Sequence, residues 1–402
     1  MMKKLCAVLI LLMMGGCCMI GCCADETNAQ VPALGTARRP IPENDAMAYL
    51  KQLGVGWNLG NTFDAIKQGW NANADEMTLE TVWCGIETSE AMFKAVRAAG
   101  FSTVRIPVSW HDHVDQNGII SQRWLSRVQQ VVDWAMEQEL YVILNIHHDE
   151  DQFLPSDAHF EESAQYVAVI WRQLAESFRD YDDRLIFESM NEPRLIGSNY
   201  EWYFDSASAE CRMAAECLNR LNQLFVDTVR ASGGNNEGRY LMVPGYDASP
   251  EGALNDYFLL PADAADNRII VSVHAYTPYA FALQDGGDTR FNPSGQSQTQ
   301  EIIGFMNKLY DRYITQGVPV VIGEFGARDK GGNLQDRVNF AAFYTAAASA
   351  RNMPCLWWDN GAFSGNGEVF GLLDRRNAAF AYPEIVEAII TYGGYDKLPE
   401  TK

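Results

Sequence analysis

The stretch RLIFESMNEP, residues 184–193, sets an apolar run against a polar carboxyl end that contains Asn191 and Glu192. A short apolar run of this kind reads as a strand of a buried parallel sheet. Packing does not explain Glu192, because ionised side chains are almost never buried without a partner. The same form recurs in VPVVIGEFG, residues 318–326, which carries Glu324 near its end. Working outward, six more runs share it: GVGWNLGN (54–61), STVRIPVSW (102–110), YVILNIHH (141–148), RYLMVPGY (239–246), RIIVSVHAYTP (268–278) and MPCLWWDNG (353–361). Helical patterns separate them. Trp124, Leu125, Val128, Val131, Val132 and Ala135, for example, keep the 3.6-residue spacing of an amphipathic face, and Gly100 and Gly233 sit where helices should end. Eight strand–helix alternations without a linker predict a single α/β domain, a (β/α)8 TIM barrel over residues 44–395. A doubly wound open sheet is the competing architecture. It is disfavoured because no GxGxxG follows the first run and because polar residues occupy nearly every strand's carboxyl end, the face on which barrels build their sites. Residues 25–43 read as a polar lead-in, 44–53 as a short helix covering the barrel floor, and 396–402 as a peripheral tail.

Residues 1–24 carry Lys3 and Lys4, an apolar stretch over 5–14, and then small residues and cysteines, which is the pattern of an export signal. The stretch is shorter than the roughly 20 apolar residues of a membrane span, and nothing later in the chain is longer. MIGC at 19–22 is similar to a bacterial lipoprotein cleavage box, so both simple secretion and lipid anchoring through Cys22 follow from the leader. Either way the expected location is extracellular or at the cell surface. Cys84, Cys211, Cys217 and Cys355 lie beyond the leader. Cys211 and Cys217 fall in one predicted helix, where six residues rise about 9 Å, so they should not bridge each other. The net charge of −21, or −23 without the two leader lysines, disfavours nucleic acid and anionic membranes and suits a neutral partner.

The strand ends gather Asn61, Arg105, His147, His148, Asn191, Glu192, His274, Tyr276, Glu324, Trp358 and Asp359. A barrel brings them to one mouth. The period-two pleat places His274 and Tyr276 on one face, whereas His147 and His148 should point to opposite faces, so that at most one enters the site. The string HHDE (147–150) invites a metal reading, but consecutive ligands on an extended strand diverge and no second cluster completes a set; no metal or cofactor is expected. Trp57, Trp70, Trp83, Trp110, Trp202, Trp357 and Trp358 fall in strand ends or loops, where aromatic faces could stack on pyranose rings.

The segments VRIPVSW, VILNIHHD, FESMNEPR, VHAYTPY, VIGEFGA and LWWDNG resemble, in order, the strand-end motifs of glycoside hydrolase family 5, over residues 44–392. GWNLGNTFDA, NYEWYFD, VRASGGNN and GYDASPEGALNDYF are similar to its subfamily 4, which includes cellulases, xyloglucanases and mixed-linkage glucanases. One departure is ETVWCGI (80–86), where relatives commonly read ETxWGNP. The resemblance implies an exported endo-β-1,4-glucanase with side activity on xyloglucan and mixed-linkage β-glucan. It implies Glu192 as acid/base and Glu324 as nucleophile, with Arg105, His147, Asn191, His274, Tyr276 and Trp358 around the sugar at the cleavage point.

Retaining hydrolysis needs two carboxyl groups about 5 to 5.5 Å apart, one ionised and one protonated. Hydrogen bonds from Tyr276 and the charge of Arg105 would suit Glu324 to the ionised role, and a less polar pocket beside Glu324 would let Glu192 keep its proton. The competing function is a non-catalytic surface barrel that binds glucan.

Overall fold

In a computed structural model the chain is described over residues 29–67, 69–70, 74–365 and 367–400. The export signal and Cys22 lie outside the described residues. Each of the eight apolar runs contributes one strand: β1 Val55–Leu59, β2 Thr103–Ile106, β3 Tyr141–Asn145, β4 Leu185–Glu188, β5 Leu241–Pro244, β6 Ile269–His274, β7 Val320–Phe325 and β8 Cys355–Asp359. All pair in parallel and in chain order, and β8 closes on β1 from Val55 opposite Cys355 to Leu59 opposite Asp359. This is the (β/α)8 barrel, with helices between the strands.

The strands are buried on both faces because helices cover the outside. The helix from Gln122 to Glu137 buries the six apolar residues that its spacing marks, and the helix from Glu90 to Ala99 ends at Gly100 in the left-handed region (φ 105°). The longest, Ala209–Ala231, is followed by Gly233 at φ 68°. Cys211 and Cys217 both lie on it, and they are free thiols, as are Cys84 and Cys355.

The first helix, Asp45–Leu53, starts with the Asn44 side chain accepting from Met47 N at 2.8 Å. It closes the floor: Tyr49 Oη donates to Asp183 O (2.6 Å) ahead of β4, Asn44 Nδ2 to Gly317 O (3.0 Å) ahead of β7, and Asn352 Nδ2, ahead of β8, to Met47 O (3.0 Å). Lead-in and tail meet on the same side, where Arg38 N donates to Pro399 O at 2.8 Å and Leu398 is buried. Among the described residues no helix is long and apolar enough to cross a membrane.

At the opposite end the register aligns polar residues. Asn58 lies opposite both Arg105 and Trp358, Asn145 opposite Glu188, and His274 opposite Glu324. These residues are buried. Apolar packing below them fixes the strands, so their side chains converge at one level.

Candidate active site

Arg105 on β2 is the hub. Its planar guanidinium donates through Nε to Glu188 Oε2 (2.7 Å), through Nη1 to Glu324 Oε1 (2.6 Å) and Asn58 Oδ1 (3.2 Å), and through Nη2 to Asn191 Oδ1 (2.8 Å). Such a rigid fork can fix several acceptors at once. Burial alone would lower its pKa, but Glu188 and Glu324 keep it raised.

Glu188 escapes the sequence reading, and it is the floor of the site. It is fully buried and also accepts from Asn145 Nδ2 (3.0 Å) and Ser272 Oγ (2.7 Å). Burial pushes its carboxyl up, yet Arg105, His274 and Ser272 overcome this and hold it down at about 2. A signal existed. Glu188 is a carboxylate that closes the apolar run LIFE, the same form that singled out Glu192.

Above this floor His274 joins the three carboxylates. Its Nδ1 lies 2.8 Å from Glu192 Oε1 and 3.6 Å from Glu324 Oε1, and its Nε2 lies 3.8 Å from Glu188 Oε1. Burial works against an imidazolium here, but Glu324, Glu188 and Glu192 push its pKa up to about 10. Tyr276 Oη donates to Glu324 Oε2 at 2.9 Å, so His274 and Tyr276 do address a common group. Single ligand atoms of Glu192, His274 and Glu324 all fall within 4.8 Å of one another.

The environment of Glu192 differs from the expectation of an apolar pocket. Burial raises its pKa, but the hydrogen bond and charge of His274, together with Arg194 and His148, outweigh burial and leave the carboxyl below its ordinary value. Arg194 was missed as well. It donates to Glu192 O at 2.9 Å and pairs with Glu150 at 3.3 Å. Asp247 is a further missed neighbour, with a buried Oδ1 that has no hydrogen-bond partner and a left-handed backbone (φ 56°). Burial and the charge of Glu192 raise its pKa to about 8.

The two strand-end histidines do not point to opposite faces, which corrects that expectation. β3 stops at Asn145, so the pleat no longer alternates their side chains. The two rings are 4.4 Å apart and edge-on. His147 is buried, touches Asn145 Nδ2 at 3.1 Å, and lies parallel to Trp358 with ring centres 5.7 Å apart. Gly60 lets Trp358 lie there, since a Cβ at that position would come within 2.8 Å of the indole. His148 faces Glu150 (3.4 Å) and Asp64 (3.9 Å). Burial opposes its charge, but Glu150, Asp64 and Glu192 raise its pKa to about 9.

Asp64, His147 and His148 also bring ligand atoms within 4.8 Å of one another. Asp149 of the HHDE string turns away to His111 Nδ1 (2.5 Å) and Tyr166 Oη (2.9 Å).

The pKa of His148 makes a testable statement about stability. A histidine raised from 6.5 to about 9 adds stability that is fully present below pH 6.5 and lost as pH rises through 9. Thermal melts of the wild-type protein should therefore fall more steeply between pH 6.5 and 9 than those of His148→Gln. Parallel curves would contradict the ion pairing.

The other sequence candidates divide. Asn61 donates through its backbone N–H to Asp64 Oδ2 (2.9 Å), beside His148. Asp359 is structural, accepting from Trp57 Nε1 (2.8 Å) and Leu373 N (2.8 Å). Trp57, Trp110 and Trp357 are core residues whose indole N–H groups donate to Asp359, Asn145 O and Phe370 O, so they cannot stack on sugar. Trp83, in the departing ETVWCGI loop, is 43% exposed and lies 5.6 Å from His148.

The family model described as Cellulase (glycosyl hydrolase family 5) matches residues 66–364. The chain is similar to Endoglucanase 1 of Ruminococcus albus, 40% identical over 376 residues that cover 93% of this chain and 88% of that protein. Its fold superposes on a family 5 lichenase from Caldicellulosiruptor sp. F32 with a TM-score of 0.89 and 54% identity, over 90% of this chain and 99% of the other. A GH5-4 broad specificity endoglucanase from Ruminococcus champanellensis, solved with bound cellotriose, gives a TM-score of 0.81 and 40% identity, over 88% of this chain and all of that one.

Proposed function

Because this chain belongs to glycosyl hydrolase family 5, we propose that its mouth cleaves internal β-1,4-glucosidic bonds of β-glucans by a retaining double displacement. The observation that carries this reading is the Glu192–His274–Glu324 cluster, with ligand atoms within 4.8 Å of each other. That spacing suits the short carboxyl separation of retaining enzymes rather than the 6.5 to 9.5 Å that leaves room for a water.

Glu324 attacks the anomeric carbon while Arg105 and Tyr276 hold its two oxygens in place. The proton for the departing oxygen comes from the Glu192–His274 hydrogen bond, and Glu192 then takes a proton from the water that releases the sugar. Asn191, whose Oδ1 is engaged by Arg105, keeps its amide Nδ2 to donate to the sugar 2-hydroxyl, a contact that strengthens in the transition state.

Mixed-linkage glucan and xyloglucan are proposed as further substrates of the same cleft, the first supported by the likeness to a lichenase. The leader over residues 1–24 supports export, either free or anchored through Cys22. Purified protein should release reducing ends fastest from carboxymethylcellulose or barley glucan, more slowly from xyloglucan, and least from mannan. A preference for mannan would overturn the substrate assignment. Glu192→Gln should slow glucan cleavage by about 10²- to 10⁴-fold. It should hardly affect the first-turnover burst of fluoride from β-cellobiosyl fluoride, whose leaving group needs no acid, although later turnovers slow because Glu192 also activates the water. A fluoride burst slowed as much as glucan cleavage would contradict the acid role.

A further inference from the structure

Asp247 follows β5 in a turn, Tyr246–Ala248, whose backbone is left-handed at two successive non-glycine residues (φ 56° at Asp247 and 45° at Ala248). Such conformations are sparsely populated and persist only where surrounding contacts fix them. Those contacts lead to the acid/base. Asp247 N donates to the carbonyl of Pro193, next to Glu192, at 2.9 Å, and Tyr246 Oη accepts from Leu195 N (3.0 Å) and donates to Tyr200 O (2.7 Å). The turn and the segment after Glu192 are therefore bound together. Within this unit the Asp247 carboxyl has no answer to its charge: Oδ1 is buried and, among the described residues, has no hydrogen-bond partner. Arg194, the neighbouring cation, is committed to Glu192 O (2.9 Å), Glu150 (3.3 Å) and Glu201 (3.7 Å). An ionised carboxylate is costly in such a place, and a protonated one far less so.

Asp247 feels Glu192, Arg194 and Glu201 from the loop after β4 and His274 from β6, with Tyr246 beside it in its own turn. Of the helices packed on this turn, Ala209–Ala231 brings Cys211 towards Tyr246, and Pro250–Leu254 carries only Glu251, which is exposed. Glu192 faces His148, Glu324, Glu368 and Tyr276 in addition. Burial and the charge of Glu192 push Asp247 up to about 8; burial acts the same way on Glu192, but His274, Arg194 and His148 outweigh it. Two carboxyls that repel each other lose their protons in two steps that belong to the pair.

We propose that Asp247 is a positioning residue that shares one proton with Glu192 and so keeps the acid available into mildly alkaline solution. The inference deepens the catalytic reading above and rests on it. Between the two steps the pair holds one proton whatever the pH, and a constant share of molecules carries it on Glu192 with Asp247 ionised. That form cleaves: Glu192 gives its proton to the leaving oxygen as the glycosidic bond breaks, and the water that later releases the sugar returns a proton to Glu192. Without Asp247, Glu192 stands alone among its cations, and its protonated share falls about tenfold per pH unit from acid pH upward.

Asp247→Asn removes the titrating group and keeps a residue that accepts a left-handed backbone. Its kcat/KM on cellotetraose is compared with that of the wild type from about pH 5 to about pH 8.5, beside the first-turnover fluoride burst from β-cellobiosyl fluoride, which needs no acid. The wild type should hold its rate on cellotetraose until about pH 8. In the variant the alkaline fall should begin at least about one unit lower, so that the ratio of variant to wild type drops about 10-fold or more across the range. The burst should keep the same pH dependence in both proteins. Coincident profiles on cellotetraose would show that His274 alone stores the proton, and an equal loss at every pH would show a structural role or a sugar contact; either overturns the pair. A wild-type protein that turned over neither probe would instead overturn the catalytic reading.

Discussion

Glu324→Gln should lower turnover of β-glucan by on the order of 10⁴-fold or more, with binding of cello-oligosaccharide retained. The change is isosteric: the amide oxygen can still accept from Arg105, and the amide nitrogen can donate to Tyr276 Oη. What disappears is the negative charge that attacks the anomeric carbon. Shortening further to Glu324→Ala opens a space in which azide can act as the nucleophile. The azide then enters from the face that Glu324 occupies and yields a single glycosyl azide of inverted configuration. A glucan-binding barrel without catalysis would have no turnover to lose in either variant. A Glu324→Gln protein that kept a tenth of wild-type activity would remove Glu324 from the chemistry.

Arg105→Met should lose both turnover and stability. The guanidinium is fully buried and is the common donor to Glu188, Glu324 and Asn191. Removing one partner of a buried ion pair costs about 3–5 kcal/mol, because the carboxylate left behind is uncompensated. Glu188, held at about 2 in the intact site, should then take up a proton on folding near neutral pH. Denaturant titration checks the stability loss, and assay on carboxymethylcellulose checks turnover. The double variant Arg105→Met with Glu188→Met should recover part of the stability and none of the activity, since Glu324 still lacks its donor. Recovery of activity in the double variant would mean that Arg105 serves the fold alone.

The barrel was legible in the sequence because each strand announces itself twice, by an apolar run and by the polar residues that stop it. RLIFESMNEP and VPVVIGEFG do both. Arg105, His147, Asn191, His274, Tyr276 and Trp358 were legible for the same reason. What escaped depends on contacts between segments far apart in the chain. Glu188 is the last residue of β4 and has no visible partner until Arg105, Asn145 and Ser272 arrive from three other strands. The surroundings of Glu192 are set by His274, Arg194 and His148, and no local pattern predicts that cations gather there. The two histidines of YVILNIHH were misassigned to opposite faces because strand periodicity was carried past Asn145, where the strand has ended. Trp57, Trp110 and Trp357 look like sugar contacts in sequence, and only the bonds of their indole N–H groups reveal them as core.

Glu192 and Glu324 are the centre of the account, and trapping the intermediate tests them most directly. A 2-deoxy-2-fluoro cellobioside with an activated leaving group slows release of the sugar, and peptide mass spectrometry then locates the attached group. The label is predicted on the carboxyl of Glu324. Attachment to Glu192 or to any other residue, or hydrolysis of the probe with Glu324 unmodified throughout, would contradict the mechanism.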